Sequence, residues 1–141
     1  MIYLDTSALG ALFFREPTAP AILNRLQSTQ PGELGISAWA LTEMASVGAI
    51  KERTGHIGPA ERAAALAAFQ RFASDSLVLA EVEPSDFRQA ARLLDLPVLA
   101  LRAGDALHLA VARRLDASLG TLDIRQASAA RHYGIPLFPL V

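Results

Sequence analysis

Four of the 14 acidic residues in this 141-residue chain lie among apolar neighbours, where an unpaired charge is costly. Asp5 interrupts the apolar N-terminal stretch, and Glu43 lies within AWALTEMASV. Asp105 lies within LRAGDALHLAVA, and Asp123 ends the stretch LGTLD. A carboxylate in such surroundings needs a partner, a raised pKa or a metal ion. Four converging carboxylates would repel one another unless cations lay between them, and Mg²⁺ and Mn²⁺ prefer oxygen ligands.

The predicted elements bring these acids toward one edge of a sheet. Asp5 and Asp123 end predicted strands, and Asp105 begins a predicted helix. In open α/β sheets, ligands bind at the carboxyl ends of the strands. Glu43 lies in a predicted helix whose adjacent turns carry no basic residue, so no local cation neutralises it. We therefore expect the four acids to converge at the carboxyl edge of the sheet.

Short apolar strands alternate with helical segments, which predicts a parallel sheet covered by helices on both faces. The expected fold class is α/β, a three-layer α/β/α sandwich with a central, mostly parallel sheet of four to five strands. The predicted strands are residues 2–5, 33–37, 77–82, 118–123 and 135–140, the last with prolines that suit an edge. The predicted helices are residues 6–14, 19–28, 38–55, 60–76, 84–96, 104–116 and 124–134.

Composition narrows the function classes. The chain has no cysteine, which excludes disulfides, thiolate catalysis and cysteine-based zinc sites. It has no apolar run long enough to cross a membrane and no basic region of a signal peptide, so we expect a cytoplasmic protein without a membrane partner.

A net charge of −1 provides no global positive field for nucleic acid, so such a partner would need bound cations or local arginines. Arg15 and Arg102 are candidates for phosphate contact, although solvated surface arginines are the commoner case.

Each aspartate of the four also suits a purely structural role. Asp5 and Asp105 could cap helices, and Asp123 could form an Asx turn. Glu43 is the hardest to explain in this way, because it lies beyond any capping-box position after Ser37. All four structural explanations would have to hold at once, which favours a site.

Three further polar residues could support that site. His108 lies three residues after Asp105 on the same helix face, although a lone histidine is more often structural. Thr121 lies two residues before Asp123, so in a strand both side chains would share a face, and the hydroxyl could orient a carboxylate or a metal-bound water. Thr6 offers a second hydroxyl at the N-terminus.

The motifs YLDTSAL, SAWALTEM, LRAGDALHLAVA and LGTLD occur in this order, followed by GIPLFPL. Together they closely resemble the PIN-domain ribonucleases, particularly VapC-like toxins of bacterial toxin–antitoxin pairs. The resemblance implies a single PIN-like nuclease domain over residues 1–141 and a metal-dependent endoribonuclease that uses Mg²⁺ or Mn²⁺. It implies Asp5 and Asp105 as the principal metal ligands, with Glu43 and Asp123 completing the catalytic site directly or through water. It also implies an RNA substrate, a cognate antitoxin that occludes the site, and a homodimer.

Two other functions remain open from the sequence. The chain could be a non-catalytic PIN-like module that binds RNA or protein. It could also be a phosphotransfer domain with Asp5 as a covalent nucleophile. Such a domain needs a lysine beside the phosphoryl group, and the only lysine, Lys51, lies at a predicted surface helix end.

Overall fold

The computed structural model describes all residues from Met1 to Val141. Four parallel strands form one sheet in the order β3-β2-β1-β4. The strands are β1 (Ile2–Leu4), β2 (Leu34–Ser37), β3 (Val78–Ala80) and β4 (Ser118–Gly120). The helices are α1 (Thr6–Phe13), α2 (Ala19–Leu26), α3 (Ala38–Arg53), α4 (Pro59–Ser76), α5 (Pro84–Leu93), α6 (Ala103–Arg114) and α7 (Ile124–His132), with a 3₁₀ turn at Pro97–Leu99.

The sheet separates two apolar cores, which confirms the predicted α/β/α sandwich. Tyr3 packs into the core formed with α5, α6 and α7. Its neighbour Leu4 packs into the core formed with α1 to α4. Successive side chains of a strand point to opposite faces, so three residues of β1 are enough to anchor both layers. No helix is long and apolar enough to cross a membrane.

The prediction of a fifth strand at residues 135–140 is wrong. The sheet has four strands, the lower end of the expected four to five. The segment forms a single parallel bridge, between Leu119 and Leu137. The Leu119 amide donates to the Pro136 carbonyl at 2.7 Å, and the Phe138 amide donates to the Leu119 carbonyl at 2.9 Å. Pro136 has no amide hydrogen, so the ladder cannot extend toward the start of the segment, and in the other direction β4 itself ends at Gly120.

A buried ion pair joins α5 to α6. Asp86 is 2% exposed, and its Oδ1 and Oδ2 accept from Arg114 Nε at 2.8 Å and Nη2 at 2.9 Å. Burial by itself would raise the pKa of Asp86. The hydrogen bonds and charge of Arg114, with the Glu83 amide, outweigh burial and hold that pKa below its ordinary value.

We predict that Asp86→Asn lowers the free energy of unfolding at pH 7 by about 2–3 kcal/mol, because Arg114 loses its charged partner. A depressed folded pKa means that the pair stabilises the fold above the unfolded pKa of about 3.9 and stops doing so as pH falls through the folded value. Urea unfolding should therefore show a gap between wild type and variant that narrows from pH 7 to pH 3. The exposed Asp95→Asn is the control, and a gap independent of pH would contradict the prediction.

Candidate functional site

Asp5 follows β1 directly and caps α1. Its Oδ1 accepts from the Ala8 amide at 3.1 Å and from Ser7 Oγ at 2.6 Å. Its Oδ2 accepts from Thr121 Oγ1 at 2.5 Å. The side chain is thus a helix cap, as the structural explanation expected, and is also held by a hydroxyl from the loop after the neighbouring strand β4. Burial raises the pKa of Asp5 above its ordinary value, and the Ser7 and Thr121 hydrogen bonds offset only part of that effect.

Thr121 and Ser7 tie the loop after β4 to the start of α1. Ser7 Oγ accepts from the Leu122 amide at 2.8 Å, and Thr121 Oγ1 accepts from the Asp123 amide at 3.0 Å. The predicted strand 118–123 was too long, since β4 ends at Gly120. Thr121 therefore contacts Asp5 from a loop, and does not share a strand face with Asp123. Ser7 lies two residues after Asp5 and was not predicted from the sequence as a partner of that carboxylate.

Asp123 is the N-cap of α7. Its Oδ1 accepts from the amides of Arg125 at 2.8 Å and Gln126 at 3.1 Å. Its Oδ2 accepts no hydrogen bond from the protein. The expected turn-forming role is confirmed for one oxygen, and the other is available to a ligand.

Asp105 lies in the first turn of α6, at the third helical position and not at the cap. Its Oδ2 accepts from the Arg102 amide at 3.3 Å, and its Oδ1 accepts no hydrogen bond from the protein. The helix begins at Ala103, one residue earlier than predicted. Burial raises the pKa of Asp105, and the nearby carboxylates of Asp123 and Glu43 raise it further. Those two carboxylates therefore lie within electrostatic range of Asp105.

Glu43 has a basic partner that its own helix could not reveal. His108 Nε2 lies against Glu43 Oε1, across 65 positions of sequence, and Thr6 Oγ1 donates to the same oxygen at 2.9 Å. Burial alone would raise the pKa of Glu43, but the hydrogen bond and charge of His108, with Thr6, hold it below its ordinary value. Glu43 Oε2 accepts no hydrogen bond from the protein. His108 is 2% exposed, so its ring lies within the protein beneath Glu43.

Gly104 brings α6 close to α3. A Cβ at this position would lie 3.2 Å from Glu43 Oε2 and 3.3 Å from Trp39 Nε1. The Trp39 indole N–H is buried and makes no hydrogen bond within the protein. Glycine therefore leaves room beside the free oxygen of Glu43.

We predict that Gly104→Ala lowers any activity of this site about tenfold while leaving thermal stability nearly unchanged. The methyl group would press on Glu43 Oε2, and the gain in helix propensity, about 1 kcal/mol, would offset the strain. Gly58→Ala is the control, since its Cβ would meet only Glu61 Oε1 at 3.8 Å, at the start of α4 and away from the four acids. Full activity of Gly104→Ala would show that the free oxygen of Glu43 takes no part.

The four predicted acids lie at one edge of the sheet, but they do not all touch. No three of the acidic and histidine side chains lie close enough together to hold one metal ion. The donor chemistry nevertheless fits a hard cation, because Glu43, Asp105 and Asp123 each present a carboxylate oxygen without a protein partner. Mg²⁺ typically takes only one or two protein carboxylates and completes its shell with waters and substrate phosphate. A cation would also favour the ionised carboxylates that burial disfavours.

A cleft of about 360 Å³ opens beside Asp123 and is also lined by Thr6, Ser7 and Glu16, whereas Asp5, Glu43 and Asp105 do not line it. A larger cavity, about 600 Å³, lies elsewhere, between α2, the end of α4 and the sheet edge, and none of the four acids lines it. The chemistry of the carboxylates favours the smaller cleft as the place where a ligand would bind.

The fold and this edge define a class of protein, an α/β/α sandwich with acidic residues gathered beyond the carboxyl ends of a parallel sheet. The PIN domain family model matches residues 2–137, and the chain belongs to the PIN domain family. No curated protein matches the sequence significantly.

Several solved structures share the fold. VapC20 of Mycobacterium tuberculosis, described as a sarcin-ricin loop cleaving toxin, is 21% identical with a TM-score of 0.70, covering 92% of this chain and 95% of that chain. FitAB bound to the IR36 DNA fragment is 17% identical with a TM-score of 0.73, covering 99% and 95%. VapBC-1 of nontypeable Haemophilus influenzae is 15% identical with a TM-score of 0.70, covering 99% and 98%. At these identities the likeness shows the fold.

Proposed function

We propose that this protein is a metal-dependent endoribonuclease, the toxin of a toxin–antitoxin pair. The observation that carries the proposal is the set of three carboxylate oxygens, from Glu43, Asp105 and Asp123, that are left without protein partners beside the buried Asp5. Three carboxylates at one edge of the sheet, each with an oxygen that no protein group contacts, are more typical of a ligand site than of a purely structural role.

Asp5 and Asp105 would be the principal ligands of Mg²⁺ or Mn²⁺, with Glu43 and Asp123 completing the site directly or through water. A bound cation would supply an activated water for in-line attack on a phosphodiester and would stabilise the leaving oxygen, so that the products would carry 5′-phosphate and 3′-hydroxyl ends. Thr121 orients Asp5 through its 2.5 Å hydrogen bond. Thr6, at 2.9 Å, holds the bound oxygen of Glu43.

The substrate we propose is RNA, held by cations in the cleft and by local arginines, since the net charge of −1 gives no global attraction. Arg102 is exposed at the start of α6, beside Asp105, and is placed to contact a phosphate. Arg15 is also exposed, at the end of α1.

We further propose that a cognate antitoxin occludes this cleft, that the protein forms a homodimer, and that it acts in the cytoplasm. VapBC-1 and FitAB, which share the fold, are toxin–antitoxin complexes, and this supports an antitoxin partner. The absence of cysteine suits a reducing compartment.

Induced expression in a host without the antitoxin tests the toxin proposal. Wild-type protein should arrest growth, and RNA collected soon after induction should carry new 5′ ends at a small set of sites. An Asp105→Asn variant at equal abundance should produce neither. Growth arrest with both proteins, and no new RNA ends, would contradict the proposal.

The geometry disfavours phosphotransfer through Asp5. The contacts of Asp5 are with Ser7, Ala8 and Thr121, and no lysine lies beside it to neutralise a phosphoryl group. Lys51 pairs with Glu16 at 3.4 Å and lies over the Phe14 ring. A non-catalytic binding module would need no unpaired carboxylate oxygens.

A further inference from the structure

A chain of polar groups runs through the apolar core beneath Glu43. Tyr3 is fully buried, and its hydroxyl lies 2.8 Å from Ser37 Oγ and 2.6 Å from His108 Nδ1. The other ring nitrogen, Nε2, lies against Glu43 Oε1 and 3.2 Å from Thr6 Oγ1. The chain thus connects the ends of β1 and β2 to the one carboxylate of the site that has no backbone partner.

The hydrogen atoms can be placed along this chain. Burial raises the pKa of Tyr3 well above its ordinary value, so the phenol keeps its proton. In a neutral ring, Nε2–H donates to Glu43 and Nδ1 accepts from Tyr3. In an imidazolium, both ring nitrogens donate, and Tyr3 donates onward to Ser37 Oγ. Both arrangements require a hydrogen on His108 Nε2.

We propose that Ser37, Tyr3 and His108 form a positioning relay for Glu43. The relay holds Oε1 so that Oε2 stays directed away from it, beside Gly104, where Oε2 would reach a cation or its water. Ser37, Tyr3 and His108 act through Glu43 and do not touch the substrate. The inference rests on the proposed nuclease function, since it concerns the same site.

The burial of this trio supports a role beyond filling space. Ser37 is fully buried and His108 is 2% exposed, beside a core cluster made mostly of alanine and leucine. An apolar set of the same volume would fill the core at least as well, because each buried polar group must first lose its water. The groups that orient metal ligands are known to tune affinity without contacting the metal.

The variants for the test are Tyr3→Phe and His108→Leu, with His108→Gln as the conservative rescue, because its amide can still donate to Glu43. Tyr133→Phe is the matched control, since Tyr133, the only other tyrosine, donates to the Leu93 carbonyl at 2.8 Å. We would measure RNA cleavage against Mn²⁺ concentration, Mn²⁺ binding without RNA, and thermal unfolding. Nitrogen-15 NMR of the metal-free wild type would report which nitrogen of His108 carries hydrogen.

We expect His108 Nε2 to be protonated, and half-saturating Mn²⁺ to rise about tenfold in Tyr3→Phe and more in His108→Leu. His108→Gln should recover part of the loss, and Tyr133→Phe should match wild type. An Nε2 without hydrogen in the NMR measurement would overturn the relay. The relay would also be overturned if the Tyr3→Phe and His108→Leu proteins were folded and responded to Mn²⁺ as the wild type does. If His108→Leu fails to fold, Tyr3→Phe and the NMR measurement decide. A wild type that neither binds Mn²⁺ nor cuts RNA would overturn the proposed function, leaving the protonation of Nε2 to decide the relay.

Discussion

Asp5→Asn should lower the rate of RNA cleavage by about a thousandfold, roughly 4 kcal/mol of transition-state stabilisation. The amide keeps the size of the carboxylate and can still accept from Ser7 and Ala8, but it carries no charge for a cation. Single-turnover cleavage in Mn²⁺ would measure the loss.

The same variant should remain folded, with a melting temperature equal to or above that of wild type. Burial raises the pKa of Asp5, which means that its ionised form weakens the fold at neutral pH, and asparagine removes that cost. Asp95→Asn, an exposed carboxylate change, should leave both activity and stability as they are. Loss of activity together with loss of the fold would assign Asp5 a structural role.

Removal of divalent cations should abolish cleavage completely, and Mn²⁺ or Mg²⁺ should restore it. The carboxylate edge has no arginine or lysine in contact with its free oxygens, so no protein group can replace the cation. Excess Mn²⁺ should also stabilise the metal-free protein, by about 2.7 kcal/mol at a hundred times its dissociation constant. Thermal unfolding with and without Mn²⁺ would measure this gain.

Asp105→Asn should lose most of that stabilisation, because it removes a proposed ligand and relieves the repulsion that raises the pKa of Asp105. Ca²⁺, which takes oxygen ligands at longer distances, would serve as the comparison cation in the thermal unfolding measurement. Cleavage that persists in chelator, or equal Mn²⁺ stabilisation of wild type and Asp105→Asn, would show that the edge does not use a metal.

The sequence predicted a helix or strand well where the residues of that element themselves favour its structure. Helix α4 begins at Pro59 and ends at Ser76, close to the predicted 60–76, because its alanine-rich interior and initial proline act locally. The terminal segment fails as a strand because Pro136 lacks an amide that the ladder needs and β4 ends at Gly120, although the segment still lies at the sheet edge, where proline is tolerated.

The site was predictable in composition but not in its contacts. Four carboxylates in apolar surroundings were visible as an anomaly, yet the partner of Glu43 is His108, 65 residues away. Only the packing of α3 against α6 brings those two together, and no spacing rule reaches that far. The link from Asp5 to Thr121 spans 116 residues and likewise depends on β1 and β4 being neighbours.

The most direct test is cleavage of an end-labelled RNA pool by the purified wild-type protein and by Asp5→Asn, each with Mn²⁺ and with chelator. We predict products with 5′-phosphate ends from wild type in Mn²⁺ alone, and none above background from the variant. Equal cleavage by both proteins, or by wild type in chelator, would contradict a metal-dependent nuclease site at this edge.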